Sequence, residues 1–184
     1  MRTLRTSMLA LLVVLGLGVG LTLSSLAAED AVPQPGQKAP TFSLPSQDSP
    51  SISLSSFRGK WVVLYFYPKD MSRGCTIEAH NFQQDMAKYE KLNAVIVGVS
   101  VDSADSHKEF CAKEGLHFKL LSDEQKKVST EYGSLGAFGN MQMSKRNTFL
   151  ISPKGRIVKV WTKVDPNSHS QEVLTALGGL EQKS

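Results

Sequence analysis

Cysteine is nearly absent. The 184 residues contain two, Cys75 and Cys111, and no C-x-x-C pair, because the third residue after Cys75 is Glu78. A disulfide-exchange enzyme of thioredoxin type is therefore disfavoured, since it carries both thiols in that motif. An excess of one charge is missing too. Lys and Arg number 21 against 17 Asp and Glu, scattered without a basic stripe, which leaves no argument for nucleic-acid or membrane binding. His107 and Cys111 stand four apart and would share a helix face, but no second pair of ligands lies nearby, so neither a metal nor another cofactor is expected. There is no internal repeat and no sign of a second domain.

Long apolar runs are also rare. The longest, Met8 to Leu23, follows Arg2 and Arg5 and precedes Ser25, Ala27 and Ala28. A basic end, an apolar middle and small residues at the exit make a secretory signal, with cleavage expected after Ala27 or Ala28. The alternative is an uncleaved anchor, since Met8 to Ala28 could just cross a bilayer. The segment has no cysteine for lipid attachment, and its arginines are not adjacent as a twin-arginine signal requires. Residues 1–28 are thus read as a signal peptide, 29–40 as a proline-containing linker and 41–184 as one domain exported to a periplasmic compartment. Without Arg2 and Arg5 the domain has 19 basic against 17 acidic residues, and no stable membrane association is expected after cleavage.

Two cysteines in an exported protein ordinarily form a structural disulfide. A domain of this size does not need one, and the surroundings of Cys75 favour redox chemistry instead. Trp61 to Tyr67, WVVLYFY, is an unbroken apolar run rich in strand formers, short enough for a strand covered on both faces. Pro68, Lys69 and Asp70 end it. From Cys75 onward apolar or small residues recur at Ala79, Phe82, Met86 and Tyr89, which is helical spacing. Cys75 thus lies in a helix's first turn, where open N–H groups and the dipole favour an anion, and a thiol held there is a candidate nucleophile.

The order of elements supports a functional edge at that point. Thr41–Leu44 and Ser51–Leu54 alternate as an edge hairpin. A helix over about 72–92 and a strand over 94–101 complete a parallel crossover with the strand from Trp61. Ligands of such sheets bind beyond the strands' carboxyl ends, where the loop 67–74 lies. Ser106 with Glu109 predicts a helix over 107–114 that ends at Gly115 and contains Cys111. Ser122 with Gln125 predicts a third helix to about Tyr132, followed by a glycine-containing loop over 133–145. Asn147–Ile151 and Ile157–Trp161 form a hairpin, and Ser168 with Gln171 opens a last helix ending near Gly178. If the strand after Arg146 runs antiparallel to the strand from Trp61, Arg146 points at Cys75. The reading requires a sulfur that is not sealed in the interior and a guanidinium that does not face solvent on the opposite edge. Glu78 is expected to pair with a basic residue or backbone N–H close to Cys75. His80, His117 and His169 are read as surface or hydrogen-bonded histidines, with His80 a candidate for tuning nearby charge.

YFYPKDMSRGCTIEAHNF, with Pro68, Ser72 and Cys75, resembles the proline, threonine-or-serine, cysteine pattern of the peroxiredoxins. RNTFLISPKGRIVKVW resembles their arginine-led hairpin. The resemblance, to the Q-type branch also called bacterioferritin comigratory protein, covers nearly all of 37–177. It implies an α/β, thioredoxin-like fold with a central mixed sheet flanked by helices, and thiol-dependent reduction of hydrogen peroxide and organic hydroperoxides by a monomer. It also implies roles: Cys75 as the peroxidatic thiol, Pro68 shielding it, Ser72 and Arg146 binding the peroxide and the developing charge. The sequence departs from the pattern twice. His80 stands where many relatives carry a resolving cysteine, so the resemblance passes that role to Cys111, 36 residues on, by an intramolecular disulfide that requires the first helical turn to unwind. Ser72 stands where threonine is commoner. A thioredoxin-like reductant is implied, and export demands one delivered to an oxidising compartment. The alternatives are a one-cysteine peroxidase resolved by an outside thiol, a thiol-disulfide oxidoreductase, and a redox-sensing binding protein.

Overall fold

The computed structural model describes residues 31–162 and 164–181. The leader expected over 1–28 lies outside them. Strands β1 (Ser43–Ser46), β2 (Ser49–Ser53), β3 (Trp61–Phe66), β4 (Ala94–Ser100), β5 (Lys119–Ser122), β8 (Thr148–Ile151) and β9 (Ile157–Trp161) form one seven-stranded sheet. Its order is β2-β1-β5-β4-β3-β8-β9. β3, β4 and β5 run parallel, while β1, β8 and β9 join antiparallel. Helices α1 (Arg73–Lys91), α2 (Ala104–Glu114), α3 (Lys127–Glu131) and α4 (His169–Glu181) complete the main body. The mixed sheet, its flanking helices and the hairpin at its edge are as expected.

β3 lies inside the sheet, between β4 and β8, and has apolar side chains for both faces. With a period of two, Val63 and Tyr65 point to the cluster under α1, α2 and α4, with Phe82, Phe110, Leu150 and Val173. Val62, Leu64 and Phe66 point to the other face, among Val97, Val99, Tyr132 and Phe149. Each such side chain, removed from water, contributes about 1.5–3 kcal/mol. Val62 to Tyr67 are all buried, so the end of β3 is a rigid platform for the loop that follows.

α1 buries Cys75, Glu78, Ala79, Phe82, Asp85 and Tyr89. Asp85 accepts from Ser170 Oγ at 2.7 Å and Gln171 Nε2 at 2.6 Å, and Tyr89 Oη donates to the Ser170 carbonyl at 2.8 Å. These contacts fasten the middle of α1 to α4, leaving its first turn as the part held by the site itself.

Several boundaries differ from the sequence reading. α2 starts at Ala104, capped by Ser103 Oγ, which accepts from Ser106 N at 3.2 Å; the Ser106 hydroxyl is drawn away to Asp70. α3 is capped by the Asp123 carboxylate, which accepts from the Val128 and Ser129 N–H groups, while Ser122 belongs to β5. The loop over 133–145 contains a second, two-stranded sheet of β6 (Leu135–Phe138) and β7 (Met141–Ser144). α4 runs through Gly178 and Gly179 because Val173 and Leu177 anchor its buried face.

His169 is fully buried, with Nε2 2.8 Å from Thr148 Oγ1. Burial holds its pKa down at about 4, against about 6.5 for a free imidazole. The unfolded chain therefore takes up this proton first, and the stability due to His169 is full above about pH 6.5 and lost as the pH falls toward 4. Urea unfolding of the reduced wild type, compared with His169→Asn, should show a stability difference that shrinks by roughly 3 kcal/mol across that window. A difference independent of pH would contradict this.

Candidate active site

The register of β3 and β8 builds the site. Tyr65 pairs with Thr148 antiparallel, and Phe66 N donates to the Asn147 carbonyl at 2.8 Å. Arg146, just before β8, is therefore set beside the end of β3 and the start of α1. Its Nη2 donates to Cys75 Sγ at 3.1 Å and its Nη1 to Glu78 Oε2. The contact expected across 71 residues of sequence is made. Gly74 leaves space for it, since a Cβ there would lie 3.0 Å from Arg146 Nη2.

The electrostatics follow from burial. Burial pushes the Glu78 carboxyl up to about 7 against the pull of Arg146. Burial opposes the Arg146 charge, but Cys75 and Glu78 beside it outweigh that and hold its pKa above the ordinary value. Glu78 Oε1 is buried without a hydrogen-bond partner among the described residues, so Arg146 is the partner that makes this carboxylate tolerable. Conversely, Glu78 fixes one end of the guanidinium while the other faces sulfur. The first-turn N–H groups of α1 have no intrahelical acceptor and add positive potential on the same side.

Cys75 is 1 % exposed, more enclosed than an open edge. The side chain shown against the sulfur is Arg146, 20 % exposed, while Pro68, Ser72 and Gly74 in the preceding turn are half-buried. The sulfur is thus enclosed within the apolar cluster behind β3, contrary to the expectation of an unsealed one, and partly exposed Arg146 is the polar group that reaches it. Ser72 is the N-cap of α1, but its hydroxyl donates to the Lys69 carbonyl at 3.0 Å, bracing the loop. Met71, between them, has a positive φ of 58°.

Cys111 is a free thiol like Cys75. It lies on α2 in the apolar cluster that also contains Cys75, and burial pushes its pKa up to about 11. His107, one turn earlier, is committed to Asp70 through Nδ1 at 2.8 Å. His80 Nε2 lies 3.0 Å from Glu114 Oε2, and His117 is exposed. A partner for Glu78 is legible in the sequence, though not that it is Arg146, whereas the Asp70–His107 pair joins a loop to a helix 37 residues away and leaves no local signal.

Residues 35–160 match the AhpC/TSA family. The chain is 41 % identical to Peroxiredoxin Bcp of Bacillus subtilis over 80 % of its own length and 97 % of that protein. It is 40 % identical to a chloroplastic Peroxiredoxin Q of Populus jackii, over 79 % and 68 %. A solved structure of PrxQ from Xylella fastidiosa, a cysteine-to-serine mutant, superposes with a TM-score of 0.78 at 33 % identity, covering 82 % of this chain and 99 % of that one.

Proposed function

Because the chain belongs to the AhpC/TSA family, as a thioredoxin-fold peroxiredoxin of the Bcp and Q kind with thiol peroxidase activity, we propose that Cys75 is its peroxidatic residue and Cys111 its resolving one. The observation that carries the first half is the 3.1 Å contact from Arg146 Nη2 to Cys75 Sγ. The Cys75 thiolate attacks the terminal oxygen of a hydroperoxide, the O–O bond breaks, and the departing alkoxide or hydroxide takes a proton and leaves as alcohol or water. Negative charge moves from sulfur to the leaving oxygen, and a guanidinium already turned to this point by Glu78 meets it without reorganising. Pro68 limits water, and the Ser72 hydroxyl exchanges the Lys69 carbonyl for a peroxide oxygen. Cys75 is left as a sulfenic acid.

Cys111 then attacks that sulfur, water leaves, and an intramolecular disulfide forms. Burial keeps Cys111 protonated and unreactive in the folded state, which suits a thiol used only after rearrangement. A dithiol reductant of thioredoxin type regenerates both thiols. With the expected leader the enzyme works outside the cytoplasm, and its reductant is an exported thioredoxin-like protein.

Cys111→Ser tests the division of labour. The variant should consume its first equivalent of peroxide about as fast as wild type and retain a sulfenic acid that a carbon-acid probe traps. Steady-state turnover with a thioredoxin-type reductant should fall at least about tenfold. Unchanged turnover would favour resolution by an outside thiol, and no peroxide consumption by wild type would leave only a binding role.

A further inference from the structure

Cys75 is the midpoint of a segment fastened at both ends to the helix that carries Cys111. Five residues before it, the buried Asp70 carboxylate accepts from Ser106 Oγ at 2.7 Å and from His107 Nδ1 at 2.8 Å, both on α2. It also accepts from Tyr67 Oη at 2.6 Å, while the Asp70 N–H donates to Asp102 Oδ2 at 2.9 Å. An ionised carboxylate only accepts, so the His107 proton is on Nδ1. Five residues after Cys75, His80 pairs with Glu114 at the other end of α2. Cys111 lies between the two attachment points, four residues past His107 and three before Glu114.

Between the posts lie residues 71–79, the end of the loop and the first seven residues of α1. Met71 holds a left-handed φ of 58° next to Asp70 and is 41 % exposed, a backbone conformation that is strained for a residue with a Cβ. Beyond His80, α1 is fixed by Phe82, Asp85 and Tyr89. Five unwound residues span up to roughly 16–18 Å. Along α2, Cys111 is only about 6 Å from His107 and about 4.5 Å from Glu114 at 1.5 Å per residue. Cys75 therefore has the slack to meet Cys111 without either post being released.

We propose that the Asp70–His107 and His80–Glu114 pairs are positioning posts that stay made while 71–79 unwinds, confining the sulfenic acid to the neighbourhood of Cys111. This rests on Cys111 being the resolving thiol. Held at both ends, the loop keeps a high effective concentration of one sulfur near the other. The posts are present before and after unwinding, so their loss slows the meeting of the sulfurs rather than easing the opening.

Hydrogen exchange and imidazole NMR on the reduced and the disulfide forms of the wild-type protein test this directly. In the disulfide form amides of 71–79 should lose protection, while those of 104–107 keep it and the His107 Nδ1 proton signal persists. Loss of protection at 104–107, or of that proton, with the disulfide formed would overturn the posts alone. Absence of a Cys75–Cys111 disulfide would overturn the resolving role and the posts with it. In kinetics, His107→Asn with Glu114→Gln should slow sulfenic-acid decay about tenfold and change the rate with peroxide by no more than about twofold. Faster or unchanged decay would show the pairs to be locks or bystanders. The charge swap His80→Glu with Glu114→His, at two half-buried positions and checked for wild-type unfolding behaviour, should restore the decay lost in Glu114→Gln alone; no restoration in the folded swap would count against the second post.

Discussion

Cys75→Ser should abolish peroxide consumption, with a loss of about 10⁴-fold or more that no reductant and no added thiol restores. A serine hydroxyl at this position is neither ionised near neutral pH nor as polarisable as sulfur, so it cannot open an O–O bond. The contacts that serve the thiol would survive, because Arg146 Nη2 and Glu78 depend on the β3–β8 register and not on the sulfur. The variant should therefore fold and unfold like wild type. Folded protein without peroxidase activity places the chemistry on this atom. Activity within a factor of ten of wild type would move it elsewhere, Cys111 being the other thiol in the chain.

Arg146→Gln should lower the second-order rate with hydrogen peroxide by 10²–10³-fold, about 3–4 kcal/mol, the scale for removing one fixed donor to a developing oxyanion. The mechanism of the loss is double. The guanidinium meets the charge on sulfur and on the leaving oxygen, and it also satisfies Glu78, whose Oε1 already lacks a hydrogen-bond partner among the described residues. Left alone, buried Glu78 would hold a proton more firmly, and its pKa should rise above the present value of about 7. Arg146→Lys retains charge but not the fork that reaches Glu78 and Cys75 together, so it should recover only part of the rate. Stopped-flow fluorescence under single turnover measures all three proteins. Equal rates for wild type and Arg146→Gln would remove the guanidinium from the mechanism.

Much of this arrangement is legible in the sequence because its local signals agree. WVVLYFY reads as a strand covered on both faces, the Pro68–Asp70 turn ends it, and helical spacing from Cys75 indicates which face α1 buries. Arg146 was within reach through one topological step, the antiparallel placement of β8 beside β3. What failed failed through tertiary override. Ser106 looks like a helix cap and is instead a donor to Asp70, so α2 starts three residues earlier than predicted. β5 has four residues, KLLS, too few to show a period. The β6–β7 hairpin turns at Gly139 with a φ of 62° and was hidden by its glycines. The pairing of Arg146 with Glu78 and Cys75 joins α1 to the residue before β8 across the fold, which no local pattern encodes.

The central claim, that one sulfur held against Arg146 takes the peroxide and a second sulfur relieves it, is tested most directly by mass. Reduced wild-type protein treated with one equivalent of hydrogen peroxide should lose two hydrogens, and peptide mapping should place the bond between Cys75 and Cys111. Protein that keeps both thiols titratable, or gains oxygen on methionine while Cys75 stays reduced, would contradict the account.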